Sequence, residues 1–174
     1  MYLRGRVFVL VEGNKDTWFV SSVVYSLLKN KYRQIRPLKC SEVKDEVIEK
    51  EIRVSKKIGS CLFIRDMDDS PCTPALKSKI LAKFKDLDMD DVHIVVKEIE
   101  SWYLAGANSS IEKWLKVKLD DIDTNTVTKE VFLSVKPEGM TQIEFYGMFL
   151  KNFDVEKAKA RNESFSRFVS KCAP

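Results

Sequence analysis

Three short stretches of this 174-residue chain hold acidic side chains where they could do chemistry. Residues 11–16, VEGNKD, set Glu12 and Asp16 four positions apart. Residues 64–69, IRDMDD, supply Asp66, Asp68 and Asp69. Residues 97–102, KEIESW, supply Glu98 and Glu100. Brought within a few ångströms of each other, such carboxylates would repel and raise one another's pKa values. A hard divalent cation removes that penalty. With only oxygen ligands on offer, Mg²⁺ or Mn²⁺ is favoured over Zn²⁺. Mg²⁺ keeps part of its water shell and acts with phosphates, so phosphoryl transfer is the natural use of such a site.

Each cluster also has a plainer account. Glu-Gly after a strand is a common turn, with Gly13 supplying unusual dihedrals. DMDD before Ser-Pro reads as a solvated turn. Glu98 and Glu100, alternating along a strand, would share a solvent-facing side, or sit in the first turn of the SWYLA helix and meet its dipole. The case for a cation site is the coincidence of the three clusters rather than any one of them.

The elements that must position them follow from periodicity. RVFVLVE (6–12) and SCLFIRD (60–66) read as buried strands, and DVHIVVKEIE (91–100) as a third, merging into a helix. QIRPLKC (34–40) is a short strand that Pro37 places at a sheet edge. Residues 16–28 carry Trp18, Val20, Val23, Val24 and Leu27 at helical spacing. Ser41 reads as the cap and Gly59 as the stop of a second helix with Val43, Val47, Ile48 and Ile52 on one face. Thr73 reads as the cap of a third, over 73–87, with Pro74 in its first turn. This βα alternation predicts an α/β fold, a mostly parallel sheet with helices on both faces. In such sheets ligands bind beyond the carboxyl ends of the strands, so all three clusters would fall on one rim. After about residue 106 the pattern changes to short helices, so residues 1–106 read as the α/β core and 107–174 as a helical C-terminal extension packed on it.

Composition bounds the rest. Apolar residues make up 44% and charged residues 32%, with a net charge of +4, which permits a polyanionic partner without demanding one. No apolar stretch approaches the length of a membrane span, and the run after Met1 passes into EGNKD with no small-residue cleavage site. The expectation is a cytoplasmic protein away from the membrane. Cys40, Cys61, Cys72 and Cys172 form no CxxC pair, and His93 is the one histidine, which argues against structural zinc. Cys61 and His93 read as packed residues. Trp102, Tyr103, Trp114, Phe145, Tyr146, Phe149 and Phe153 are spaced for core packing rather than base stacking.

The stretches VFVLVEGNKD, LFIRDMDD and KEIESWYLA resemble the three motifs of a Toprim domain, the catalytic fold of topoisomerases, bacterial-type primases, recombination-repair proteins and OLD-family nucleases. Glu12 matches the glutamate after the first strand, and Asp66 with Asp68 the DxD after the third. Asp16 looks like the OLD-type variant, and EIESWYLA, with ESFSRF in the tail, is similar to small stand-alone prokaryotic Toprim proteins. The resemblance implies a Toprim-like (Rossmann-like) core and a metal-dependent nuclease. Asp66 and Asp68 would bind Mg²⁺ or Mn²⁺, with Glu98 or Glu100 as a further ligand. Glu12 would bind a second ion or act as general acid/base, and Asp16 would complete the second position. It implies DNA or RNA as partner, and raises an ATPase or other protein supplied in trans. Lys15, Arg65 and Lys97, beside the motifs, and Lys136 are candidate phosphate contacts, with ordinary surface charge the competing account of each. A non-catalytic Toprim-like binding module stands as the alternative function. A receiver-like phosphorylation switch fits less well, because the first strand ends in a glutamate and the third in DxD.

Overall fold

The computed structural model describes residues 3–119 and 121–172. Four strands, β1 (Arg4–Val11), β2 (Tyr32–Lys39), β3 (Gly59–Asp66) and β4 (Val92–Val95), form a sheet in the order β2-β1-β3-β4, and every neighbouring pair is parallel. β1 lies inside the sheet, buried on both faces, which is why it reads as an unbroken apolar run rather than an alternating one. β2 takes the edge, as Pro37 suggests.

The crossovers divide between the two faces. α1 (Asn14–Phe19), a π-helical turn (Val20–Val24) and α2 (Tyr25–Leu28) join β1 to β2. They bury Phe19, Val20, Val23, Val24 and Leu28 against Val7, Val9 and Val11 of β1 and Leu62 and Ile64 of β3. α3 (Asp45–Ile58) and α4 (Thr73–Lys83) lie on the other face, where Ile48, Ile52, Leu76 and Ile80 meet Phe8, Leu10, Cys61, Phe63 and Ile94. The chain thus leaves β1 one way to β2 and returns past it to β3. The crevice between β1 and β3 is the topological switch point, the place where open α/β sheets bind ligands.

The C-terminal region is helical: α5 (Glu100–Ala105), α6 (Ser109–Leu115), a 3-10 turn (Thr124–Thr126), α7 (Lys129–Ser134), α8 (Gln142–Lys151), α9 (Val155–Arg161) and α10 (Glu163–Cys172). Its apolar side chains join the first face in a single cluster. Phe19 is the hinge of that packing, with ring contacts to Trp102, Tyr103, Phe153 and Phe165, each such pair contributing about 0.5–1.5 kcal/mol beyond area burial. The aromatic residues read as core are buried or partly buried, and so are Cys61 and His93.

Four local expectations are corrected. Ser41 sits in a turn; α3 starts at Asp45, with Lys44 in the capping position. Val47 is 46% exposed, leaving Ile48 and Ile52 as the buried stripe of α3. Cys72, not Thr73, occupies the N-cap of α4, which ends at Lys83 because the chain turns off the helix at Phe84. β4 ends at Val95: Lys97 takes a left-handed conformation (φ 65°), which turns the chain out of the sheet before Glu98. Gly59 is required by contact rather than by dihedral, since a Cβ there would lie 1.9 Å from the Arg6 carbonyl oxygen across the β1–β3 pair.

Candidate functional site

Glu12 leaves the end of β1 beside the end of β3. Its Oε1 lies 2.8 Å from Nη1 of Arg65, so the two strand ends are tied across the switch point. Gly13 follows with φ −132° and ψ −168°, extended backbone open to any residue, so the turn does not explain the Glu-Gly pair as unusual dihedrals would. Gly13 is the N-cap of α1. Its N–H donates to Oδ2 of Asp16 at 3.0 Å, the reciprocal half of a capping arrangement. That explains one oxygen of Asp16. The other, Oδ1, is buried and has no hydrogen-bond partner, in a residue only 5% exposed.

Asp66 closes β3 and repeats the pattern, with its Oδ1 buried and unpartnered. Burial pushes its pKa up to about 9, reinforced by the charges of Asp16, Glu12 and Glu100 and only partly offset by the Ile99 amide. Asp16 is pushed up to about 6, first by burial, with the Gly13 amide pulling back and Glu12 and Glu100 adding to the rise. Glu12 is raised by burial and by Asp68 and lowered by Arg65. Four carboxylates from three strand ends therefore feel each other, as expected from acids gathered at one rim.

Beyond Asp66 the loop bends back. Asp68 has a left-handed backbone (φ 45°), and its N–H and that of Met67 both donate to the carbonyl of Lys97, at 3.2 and 3.0 Å. This stitches the Asp66–Asp69 loop to the turn after β4, with Asp68 and Asp69 exposed.

Glu98 and Glu100 separate. They do not alternate on a strand, because the strand has already ended. A carboxylate oxygen of Glu98 accepts the N–H of Lys129, serving the open N-terminus of α7. Glu100 opens α5, is 2% exposed, and accepts the hydroxyl of Tyr146. Burial raises its pKa, opposed by that hydroxyl and, less strongly, by the charge of Lys15.

Of the basic candidates, Arg65 pairs with Glu12 and Lys15 sits with its ammonium 5.6 Å from the centre of the Tyr146 ring, beside Glu100. Lys97 contributes its carbonyl to the loop contact. Lys136 is elsewhere: its ammonium donates to the carbonyls of Pro137 and Met140, closing its own turn.

Tyr146 and Tyr103 were legible only as core aromatics. Both are fully buried, and both also carry a polar handle into this region: Tyr146 to Glu100, and Tyr103 to the Lys15 carbonyl at 2.8 Å. The signal available in the sequence is the choice of Tyr over Phe at buried spacing, since a buried hydroxyl requires a partner.

Among the described residues, no three acidic, histidine or cysteine side chains stand together as a ready-made set of metal ligands. The donor set nonetheless suits a hard cation: oxygen atoms only, two of them buried without a proton donor, and carboxylates whose charges are uncompensated apart from Arg65 and Lys15.

No family model and no curated protein matches the chain. Among solved structures it is similar to the C-terminal region of the Burkholderia pseudomallei OLD protein, at 14% identity over the whole of both chains, with a TM-score of 0.51. The likeness is one of fold, and agrees with a Toprim-like, Rossmann-type parallel sheet carrying a C-terminal helical region. No helix among the described residues is long and apolar enough to cross a membrane.

Proposed function

We propose that this chain is a divalent-cation-dependent phosphodiesterase acting on DNA or RNA, a nuclease of Toprim type. The observation that carries the reading is the pair of buried, unpartnered oxygens, Oδ1 of Asp16 and Oδ1 of Asp66, on carboxylates that raise each other's pKa at the switch point of the sheet. Burying two acid oxygens with no donor costs free energy, and a bound cation is the simplest compensation. The likeness in fold to an OLD protein region supports it.

Asp66, Asp68, Asp16, Glu12 and Glu100 would hold Mg²⁺ or Mn²⁺, with Glu98 held back by its bond to the α7 N-terminus. The cation, when bound, supplies charge stabilisation on the phosphate oxygens and lowers the pKa of its water. The remaining work belongs to the chain. Glu12, raised by burial and pulled back by Arg65, is suited to take the proton of an attacking water. Arg65 and Lys15 present positive charge to a phosphodiester at the same rim. Tyr146 holds Glu100 in place from α8. An ATPase or another protein acting in trans fits beside this activity.

The test is incubation with supercoiled plasmid, single-stranded DNA and RNA in Mg²⁺ or Mn²⁺. Cleavage by the wild type that disappears in Glu12→Gln and Asp66→Asn is the expected result. Cleavage of equal rate in both variants would remove these residues from the reaction.

A second reading, a non-catalytic nucleic-acid- or protein-binding module, is favoured by the Glu12–Arg65 ion pair and by the lack of a preformed ligand set among the described residues. Retarded migration of nucleic acid without cleavage in either metal would select it.

A further inference from the structure

The strand β2, YRQIRPLK, ends the sheet and pairs only with β1. The Arg4 N–H donates to the Lys31 carbonyl at 2.8 Å, which sets the alternation of a parallel ladder. Odd-numbered residues of β2 turn their main-chain groups toward β1, and Gln34 and Arg36 turn theirs outward. Among the described residues, nothing hydrogen-bonds to the outward N–H or C=O of Gln34 or Arg36. Pro37 falls on the inward set, so it costs a bond to β1 and leaves the outer edge open.

One face of β2 is packed by α1 and α2, with Ile35 in the first-face cluster. On the other face α3 packs on β1 and β3, and Gln34 and Arg36 remain exposed. Natural edges are shortened, bulged or covered, whereas this one is regular over eight residues.

Charge selects what can pair there. Arg33 and Arg36 are exposed, lie on opposite faces, and have no carboxylate partner among the described residues. A second copy of β2 would bring these arginines against their own kind, which opposes self-pairing. A strand carrying carboxylates on both faces meets them with the right sign.

We infer that β2 is a docking edge for an acidic, extended segment of a partner protein, which adds to the sheet as a fifth strand. Main-chain bonds at Gln34 and Arg36 give affinity, and Arg33 and Arg36 give preference for acidic residues. The inference is independent of the carboxylate site.

The test uses the full chain and a fluorescent peptide of alternating Glu and Val, a length of about ten residues suiting an edge of eight. Binding is read by anisotropy, and amide exchange by NMR. The peptide is expected to bind, to slow exchange at Gln34 and Arg36, and to weaken several-fold with Arg33→Ala combined with Arg36→Ala. N-methylation of alternate peptide amides should weaken it by about tenfold or more, since those bonds are lost. Equal binding of the methylated peptide, or of a Lys-Val counterpart, would overturn the proposal. So would protection of the same amides by rising protein concentration alone, which means self-pairing. Protection by a single-stranded oligonucleotide but not by the peptide would overturn it in favour of nucleic acid.

Discussion

The guanidinium of Arg65 stands 2.8 Å from the carboxylate of Glu12, joining the carboxyl ends of β3 and β1 where the sheet reverses its winding. Both side chains are partly exposed, so the pair contributes about 1 kcal/mol or less to stability. Its larger effect is electrostatic: it opposes the burial that raises the pKa of Glu12.

Arg65→Gln should therefore raise the Glu12 pKa further while changing unfolding free energy by less than about 1 kcal/mol. With the competing cation gone, Mn²⁺ affinity should rise several-fold by calorimetry. A fall in affinity would show that Arg65 organises the site instead of competing for it.

Asp66 has a folded pKa near 9 and Asp16 one near 6, against an unfolded value of 3.8. Between those values the folded state holds protons that the unfolded chain has released. Their stability is present in full below about pH 4 and is lost as pH rises, through about 6 for Asp16 and about 9 for Asp66. Urea unfolding in EDTA should show this alkaline loss, and Asp66→Asn should be the more stable chain at pH 8 by on the order of 2 kcal/mol. A wild type with no loss between pH 6 and 9 would contradict the buried-acid picture.

Divalent cation should reverse that loss. At about a hundred times the dissociation constant, Mg²⁺ or Mn²⁺ stabilises by about 2.7 kcal/mol, visible as a higher Tm. The Asp16→Asn, Asp66→Asn double variant should keep its Tm unchanged on addition of metal. Equal shifts in both proteins would place the ion elsewhere.

Tyr146→Phe removes a hydroxyl with little change in volume and strips Glu100 of its donor. Because Glu100 is 2% exposed, the cost should be about 1–3 kcal/mol. It should exceed that of Tyr25→Phe, where the residue is 48% exposed. Equal costs would mean that the hydroxyl does not hold Glu100.

Gly59 and Gly147 offer a contrast in one residue type. A Cβ at Gly59 meets the Arg6 carbonyl at 1.9 Å, whereas one at Gly147 in α8 meets nothing within 4 Å. Gly59→Ala should cost more than about 3 kcal/mol or prevent folding. Gly147→Ala should be neutral or stabilise by up to about 1 kcal/mol, as a helix-interior exchange. Similar unfolding curves for the two would refute the register of β1 with β3.

The sequence determined the parts whose causes are local. Continuous apolar runs marked β1 and β3, helical spacing marked the crossovers and the C-terminal helices, and Pro37 marked β2 as an edge. Strand ends then put Glu12, Asp16 and Asp66 on one rim, since a parallel sheet aligns its carboxyl ends. What only the tertiary structure decided depends on partners far along the chain. The left-handed turn at Lys97 sent Glu98 to the N-terminus of α7 and Glu100 into the core. Tyr146, 46 residues away, supplies the hydroxyl for Glu100, and Arg65 reaches Glu12 across two strands. Periodicity reports which face of an element is apolar. It carries no information on which donor a buried acid will find, because that is set by how distant elements pack.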